Sequence, residues 1–222
     1  MKLLSLASRF APELLCFEQP SEQQNRVALT FDDGPHPDYT PRILDILARL
    51  EVRATFFFQG LNAARWPELV RRAHAAGHQI AAHGVDHVAA STQPARVAAD
   101  NAISCHAVLC EIAGSNLAPY YRPPYGDITF GALRDLSQRG YRLAFWSYDS
   151  RDSFCETAAD IEQRITRSTP SAGSIILFHD DYAHTVEALP QVISTLRARQ
   201  LSFVTVAELC PADRHAASAR VV

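Results

Sequence analysis

A chain of 222 residues with 47% hydrophobic content can bury one sizeable core, and a formal net charge of -3 with no basic stripe excludes nucleic acid as an expected partner. No segment approaches the roughly 18 apolar residues of a membrane span, and the stretch after Met1-Lys2 breaks at Ser5, Ser8 and Arg9, short of a secretory h-region of roughly 7 to 15 residues; a cytoplasmic location is expected. The five cysteines, Cys16, Cys105, Cys110, Cys155 and Cys210, contain no CxxC pair and are odd in number, so they fit neither a zinc ribbon nor a complete disulfide framework and favour a reducing compartment.

Residues 1–25 form a lead-in that ends in a polar run, and one domain is expected over 26–210. Within it, short apolar runs alternate with helix-length periodic stretches, the pattern of repeated strand-helix units. The first strand, residues 27–31, precedes a helix over 40–50 in which Thr40 can cap, Pro41 suits the first turn, and Ile43, Leu44, Leu47 and Leu50 form one apolar face. A strand over 54–58, a helix over 67–76 closed by Gly77, and a strand over 79–82 follow. A long helix over 94–113 leads to a strand over 120–122, and a helix over 129–139 ends at Gly140 before a strand over 142–146. Helix 158–168 precedes strand 174–178, and helix 186–200 precedes strand 202–205. Residues 211–222 lack apolar periodicity and read as a loose tail.

Seven strands alternating with helices suit a parallel barrel or a doubly wound sheet, and no GxGxxG follows the first strand. The polar clusters decide for the barrel. Asp32-Asp33, His83, Arg122, Asp149 with Asp152, and His179-Asp180 each follow a different strand, and strand C-termini form the active face of a (β/α) barrel.

Two clusters point to a metal. Asp32-Asp33 stands where the first apolar run meets Gly34-Pro35, and adjacent carboxylates there are relieved by a cation or an arginine, although a solvated loop or a helix cap serves such a pair as well. His83 and His87 are four apart, so on a helical turn both imidazoles would face one ion. Two histidines and one carboxylate leave a coordination position open, as a catalytic zinc requires. The same triad describes iron(II) oxygenases, but these do not need the additional Asp, Arg and His present here for proton transfer.

The chain resembles the polysaccharide deacetylases, the NodB-homology family of carbohydrate esterases (family 4), over about residues 27–209. The family's TFDDGP motif stands intact at Thr30-Phe31-Asp32-Asp33-Gly34-Pro35. Its histidine pair is His83 and His87, with Gly84 where a Ser or Thr is usual. RxPYG is Arg122-Pro123-Pro124-Tyr125-Gly126. The Asp-x-x-Asp-Trp string is Asp149-Ser150-Arg151-Asp152-Ser153, which lacks the aromatic residue, and the Leu-x-His segment is Leu177-Phe178-His179.

The resemblance implies a distorted (β/α)7-8 barrel with parallel strands, and a metal-dependent hydrolase removing N-linked or O-linked acetyl groups from an amino-sugar glycan or oligosaccharide. Asp33, His83 and His87 would bind zinc, or another divalent metal such as cobalt or nickel. Asp32 would be the base, held ionised by Arg122, and His179 the acid, oriented by Asp152. The Tyr125 backbone N–H and the metal would stabilise the oxyanion, while Leu177 lines the methyl pocket. Phe154 or Trp146 is available for the wall that Ser153 gives up. A linear non-sugar amide as substrate and a non-catalytic carbohydrate-binding role on the same barrel are the alternatives. Asp149 is assigned a turn rather than a chemical step, and Asp86, His36, His74, His78 and His184 are expected to be solvated.

Overall fold

The computed structural model describes residues 14–17 and 25–211, and within them all seven expected strands occur, joined by two short ones. The strands are β1 (Leu15–Cys16), β2 (Arg26–Asp32), β3 (Thr55–Phe58), β4 (Gln79–Ala82), β5 (Tyr120–Tyr121), β6 (Arg142–Ala144), β7 (Tyr148–Asp149), β8 (Ile175–His179) and β9 (Ser202–Phe203). Every pairing is parallel. The order runs β1-β6-β5-β4-β3-β2-β8-β7, with β9 beside β2. The sheet therefore curls through neighbours in chain order and ends at β1 and β7, a distorted (β/α) barrel. The two additional strands, β1 and β7, are two-residue ladders too short to show a period, and β1 lies within the expected lead-in.

Helices α1 (Tyr39–Arg49), α2 (Gly60–Arg65), α3 (Pro67–Ala75), α4 (Ala95–Ala113), α5 (Phe130–Gln138), α6 (Ala158–Arg167), α7 (Ala183–Ala198) and α8 (Val206–Leu209) connect the strands. The short helices α2 and α8 are additional to the expected set. Thr40 does not cap α1: it lies inside the helix, accepts a hydrogen bond from the His36 N–H and donates one to Asp180. The expectations for residues 1–13, for 18–24 and for a loose tail over 212–222 lie outside the described residues.

Strand alternation sorts the core into two sets. Val27, Leu29 and Phe31 of β2, with Phe56, Phe58, Ile176 and Phe178, pack against helix residues such as Ile43, Leu47, Val192 and Ile193. Each such buried side chain contributes about 1.5–3 kcal/mol. The alternate residues Ala28, Phe57, Ala81, Tyr120, Ala144 and Ile175 meet one another, and Val206 and Leu209 of α8 pack among them. The Val206 and Ala207 N–H groups donate to Thr55 Oγ1 and Gln79 Oε1, which fixes α8 against the strands' N-terminal halves. The same alternation that places Ala28 and Thr30 inward brings Asp32 to the opposite mouth.

Candidate active site

At the last residue of β2 the chain turns sharply. Asp32 is buried in regular strand, whereas Asp33 adopts φ 78°, a left-handed conformation uncommon for a non-glycine residue. The reversal sends the two adjacent carboxylates to different partners. Asp32 Oδ1 accepts from Arg122 Nη1 at 2.7 Å, and the same nitrogen donates to Thr30 Oγ1 at 2.8 Å. Arg122 is fully buried; its Nε and Nη2 donate to the Ala144 and Phe145 carbonyls, and its guanidinium carbon lies 4.1 Å from the Phe57 ring centre. All the charge it carries is thus oriented by fixed acceptors. Asp33 Oδ1 accepts from Gln59 Nε2 at 2.8 Å, and the Asp33 carbonyl accepts from Asn62 Nδ2. Gly34 follows because a Cβ there would stand 2.2 Å from the buried Asp180 carboxylate.

His83 and His87 do converge, but through a loop rather than the expected helical turn. The loop leaves β4 and reverses at Gly84, whose φ is 89°. His83 Nδ1 lies 2.8 Å from the Arg122 carbonyl oxygen, which leaves Nε2 directed at the mouth. His83 Nε2 is 3.5 Å and His87 Nε2 3.2 Å from Asp33 Oδ1, and one ligand atom of each of the three residues lies within 4.8 Å of the others. Ligands bonded tetrahedrally at about 2.0–2.2 Å stand roughly 3.3–3.5 Å apart, so the two Asp33–imidazole separations match the spacing of ligands on a zinc-sized dication. Burial works against the Asp33 charge, but the His83, His87 and His179 imidazoles hold its carboxyl well below the usual range. Burial lowers His87, against the raising effect of the Asp33 charge.

His179 ends β8 directly beside Asp32 in register. Asp152 holds it twice, through Nδ1 to Oδ1 at 2.7 Å and through the His179 N–H to Oδ2 at 2.7 Å. Burial alone would lower this imidazole; the hydrogen bond and charge of Asp152, with Asp32 and Asp33 nearby, outweigh it and push it up to about 9. Asp152 is itself buried and accepts from Thr185 Oγ1 and the Ser153 N–H.

Asp32, Asp33, His83, His87 and His179 line a cleft of about 360 Å³, with Tyr125, Trp146, Asp149, Ser153, Phe154, Leu177 and Tyr182 as the remaining walls. Leu177 is buried at its side. Tyr125, at φ 60°, lies with its ring 4.3 Å from that of His87 and is 68% exposed. Both aromatic residues considered for the place of Ser153 reach the cleft: Trp146 packs over Gly126, and Phe154, 80% exposed, stands at the rim. Asp149 accepts from the Arg151 N–H, a turn contact.

Of the residues expected to be solvated, His78 is buried and accepts the Ala54 N–H, while Asp86 and His184 are half-buried and have partners: Asp86 accepts from Asn101 Nδ2, and His184 Nε2 lies 2.8 Å from the Asp152 carbonyl. Isolated polar residues on a periodic sequence give no sign of such partners. Gln59, Asn62 and Thr185 also escaped sequence reasoning, since each acts through another residue.

The model of the polysaccharide deacetylase family matches residues 19–144. A peptidoglycan-N-acetylglucosamine deacetylase of Bacillus cereus is 33% identical over 188 residues, 82% of this chain and 87% of the relative. A chitooligosaccharide deacetylase of Bradyrhizobium sp. is 36% identical over 191 residues, 78% and 85% of the two chains. Among solved structures, a peptidoglycan N-acetylglucosamine deacetylase in complex with 4-naphthalen-1-yl-N-oxidanyl-benzamide superposes with a TM-score of 0.84 at 30% identity, covering 91% of this chain and 95% of that one. A family 4 carbohydrate esterase from Streptomyces lividans, in complex with acetate, gives 0.74 at 30% identity over 80% and 91%. The fold, the matched motifs and these likenesses agree: the chain belongs to the polysaccharide deacetylase family.

Proposed function

We propose that the protein is a divalent-metal-dependent deacetylase that hydrolyses N-acetyl groups of an amino-sugar oligosaccharide or glycan to acetate and the free amine. The observation that carries this reading is the placement of a carboxylate and an imidazole, Asp32 and His179, on neighbouring strands beside the Asp33, His83 and His87 donor set. Asp33, His83 and His87 would hold the metal, which supplies a water of lowered pKa and polarisation of the acetyl carbonyl.

Asp32 accepts the water's proton. Its Oδ1 is engaged by Arg122, and its Oδ2, 3.9 Å from His83 Nε2, is directed at the cleft. His179, kept protonated by Asp152, gives its Nε2 proton to the nitrogen of the breaking C–N bond, so the amine leaves neutral. One proton is taken and one is given, and a later exchange with solvent resets both groups. Leu177 offers an apolar wall to the acetyl methyl, and the Tyr125 backbone N–H is the donor suited to the developing oxyanion.

The sugar class is supported by the exposed Tyr125 and Phe154 rings at the cleft, which give flat apolar faces for pyranose rings, and by relatives whose substrates are peptidoglycan N-acetylglucosamine and chitooligosaccharide. Acetate release from N-acetylglucosamine oligomers, peptidoglycan fragments and O-acetylated sugars tests the reading. Release from at least one N-acetylated member is expected; release only from O-acetylated sugars would overturn the amide assignment.

A further inference from the structure

The loop that carries the two histidines is clamped from both sides. On one side, the first N–H groups of α2 donate to it, Gly60 to the Gly84 carbonyl and Leu61 to the Val85 carbonyl, each at 2.9 Å. On the other side stands one side chain of α4. Asn101 Oδ1 accepts the Val85 N–H at 2.8 Å, and Asn101 Nδ2 donates to Asp86 Oδ1 at 2.7 Å. Both halves of the amide are used, one on Val85, midway between His83 and His87, and one on its neighbour Asp86.

Gly84 is part of the same arrangement. A Cβ there would lie 2.9 Å from Asn101 Oδ1 and 2.8 Å from the Asp86 carbonyl, at a φ that L side chains rarely adopt. The hydroxyl residue usual in the family at this place cannot coexist with the clamp.

We propose that Asn101 is a positioning residue of the metal centre, fixing the spacing of the His83 and His87 imidazoles in place of the hydroxyl absent at Gly84; this rests on the metal-dependent reading above. Without the clamp, the Val85 N–H loses its acceptor and the loop gains conformations in which the two Nε2 atoms no longer converge. The metal must then select the converged form, and its apparent affinity falls by the fraction of protein that is competent.

Asp86 makes the test specific. Asn101→Asp keeps an acceptor for Val85 but sets a carboxylate against Asp86. Asp86→Asn keeps an acceptor for Asn101. The double variant D86N/N101D keeps the acceptor for the Val85 N–H and rebuilds the bond between residues 86 and 101 with donor and acceptor exchanged. Zinc affinity is read by competition with a chromophoric chelator. Asn101→Ala and Asn101→Asp are expected to weaken zinc about 10- to 100-fold, the range for partners that orient a ligand. Asp86→Asn and the double variant should lie within about threefold of wild type. Should Asn101→Ala fail to fold, the contrast between N101D and D86N/N101D decides alone. Wild-type affinity in the Asn101 variants, or a double variant no better than N101D, overturns the role of Asn101 while leaving the metal reading intact. A wild-type protein that takes up no more zinc than His83→Ala overturns both.

Discussion

Arg122 Nη1 lies 2.7 Å from Asp32 Oδ1, and neither residue has more than a trace of contact with solvent. The fully buried guanidinium is held by four acceptors and by the face of the Phe57 ring. Arg122→Ala leaves the Asp32 charge unpaired and the Thr30 hydroxyl without its donor. A loss of about 3–5 kcal/mol of stability is expected, read as a lowered midpoint in urea. A stability change under 1 kcal/mol would mean that the pair is not the buried unit described.

The neighbouring carboxylates should fail differently. Asp32→Asn keeps the shape and the Arg122 contact but cannot take a proton, so kcat is expected to fall about 10² to 10⁴-fold with metal retained. Asp33→Asn removes the anionic member of the proposed metal set, so metal content should fall together with activity. His179→Ala should resemble Asp32→Asn. Metal analysis of the purified variants separates the cases, and a reversed outcome would exchange the roles of base and ligand.

The pH profile carries the His179–Asp152 pair. The acid must be protonated to act, and its folded value is raised from 6.5 to about 9, so kcat/KM should fall as pH rises through about 9. The same raised value makes the pair's contribution to stability complete below about 6.5 and lost as pH passes about 9. Asp152→Asn removes the carboxylate that outweighs burial, and the alkaline limb should move to lower pH. An unmoved limb would assign it to another group.

Gly84 gives a further check on the histidine loop. Gly84→Ser introduces a Cβ within 3 Å of two fixed oxygens at φ 89°, a conformation costing about 1–3 kcal/mol for an L residue. Lower melting temperature and weaker zinc binding are expected together. Unchanged zinc binding would show that the loop accommodates the family's usual residue.

The strand-helix order and the mouth residues were legible because both rest on local signals: short apolar runs such as 27–31, glycine stops at Gly77 and Gly140, and polar residues just past strand ends. The distances that build the site are not local. Asn101 is 14 residues from His87 and Thr185 is 33 from Asp152, and nothing in an amphipathic helix distinguishes a polar residue facing water from one facing a loop. The helical reading of His83–His87 failed for a related reason, since i, i+4 spacing also fits a loop once Gly84 permits a reversal. Thr40, read as a cap, is drawn inward by Asp180, a partner 140 residues away.

In the proposed mechanism the acetyl amide is not hydrolysed without a metal held by Asp33, His83 and His87. Zinc content and acetate release from an N-acetylglucosamine oligomer, measured on the same preparations of wild type, chelator-stripped and zinc-reconstituted protein and His87→Ala, test it most directly. About one zinc per chain with turnover is expected in the wild-type and reconstituted samples, and neither in the other two. Full turnover by the stripped protein or by His87→Ala would contradict the account.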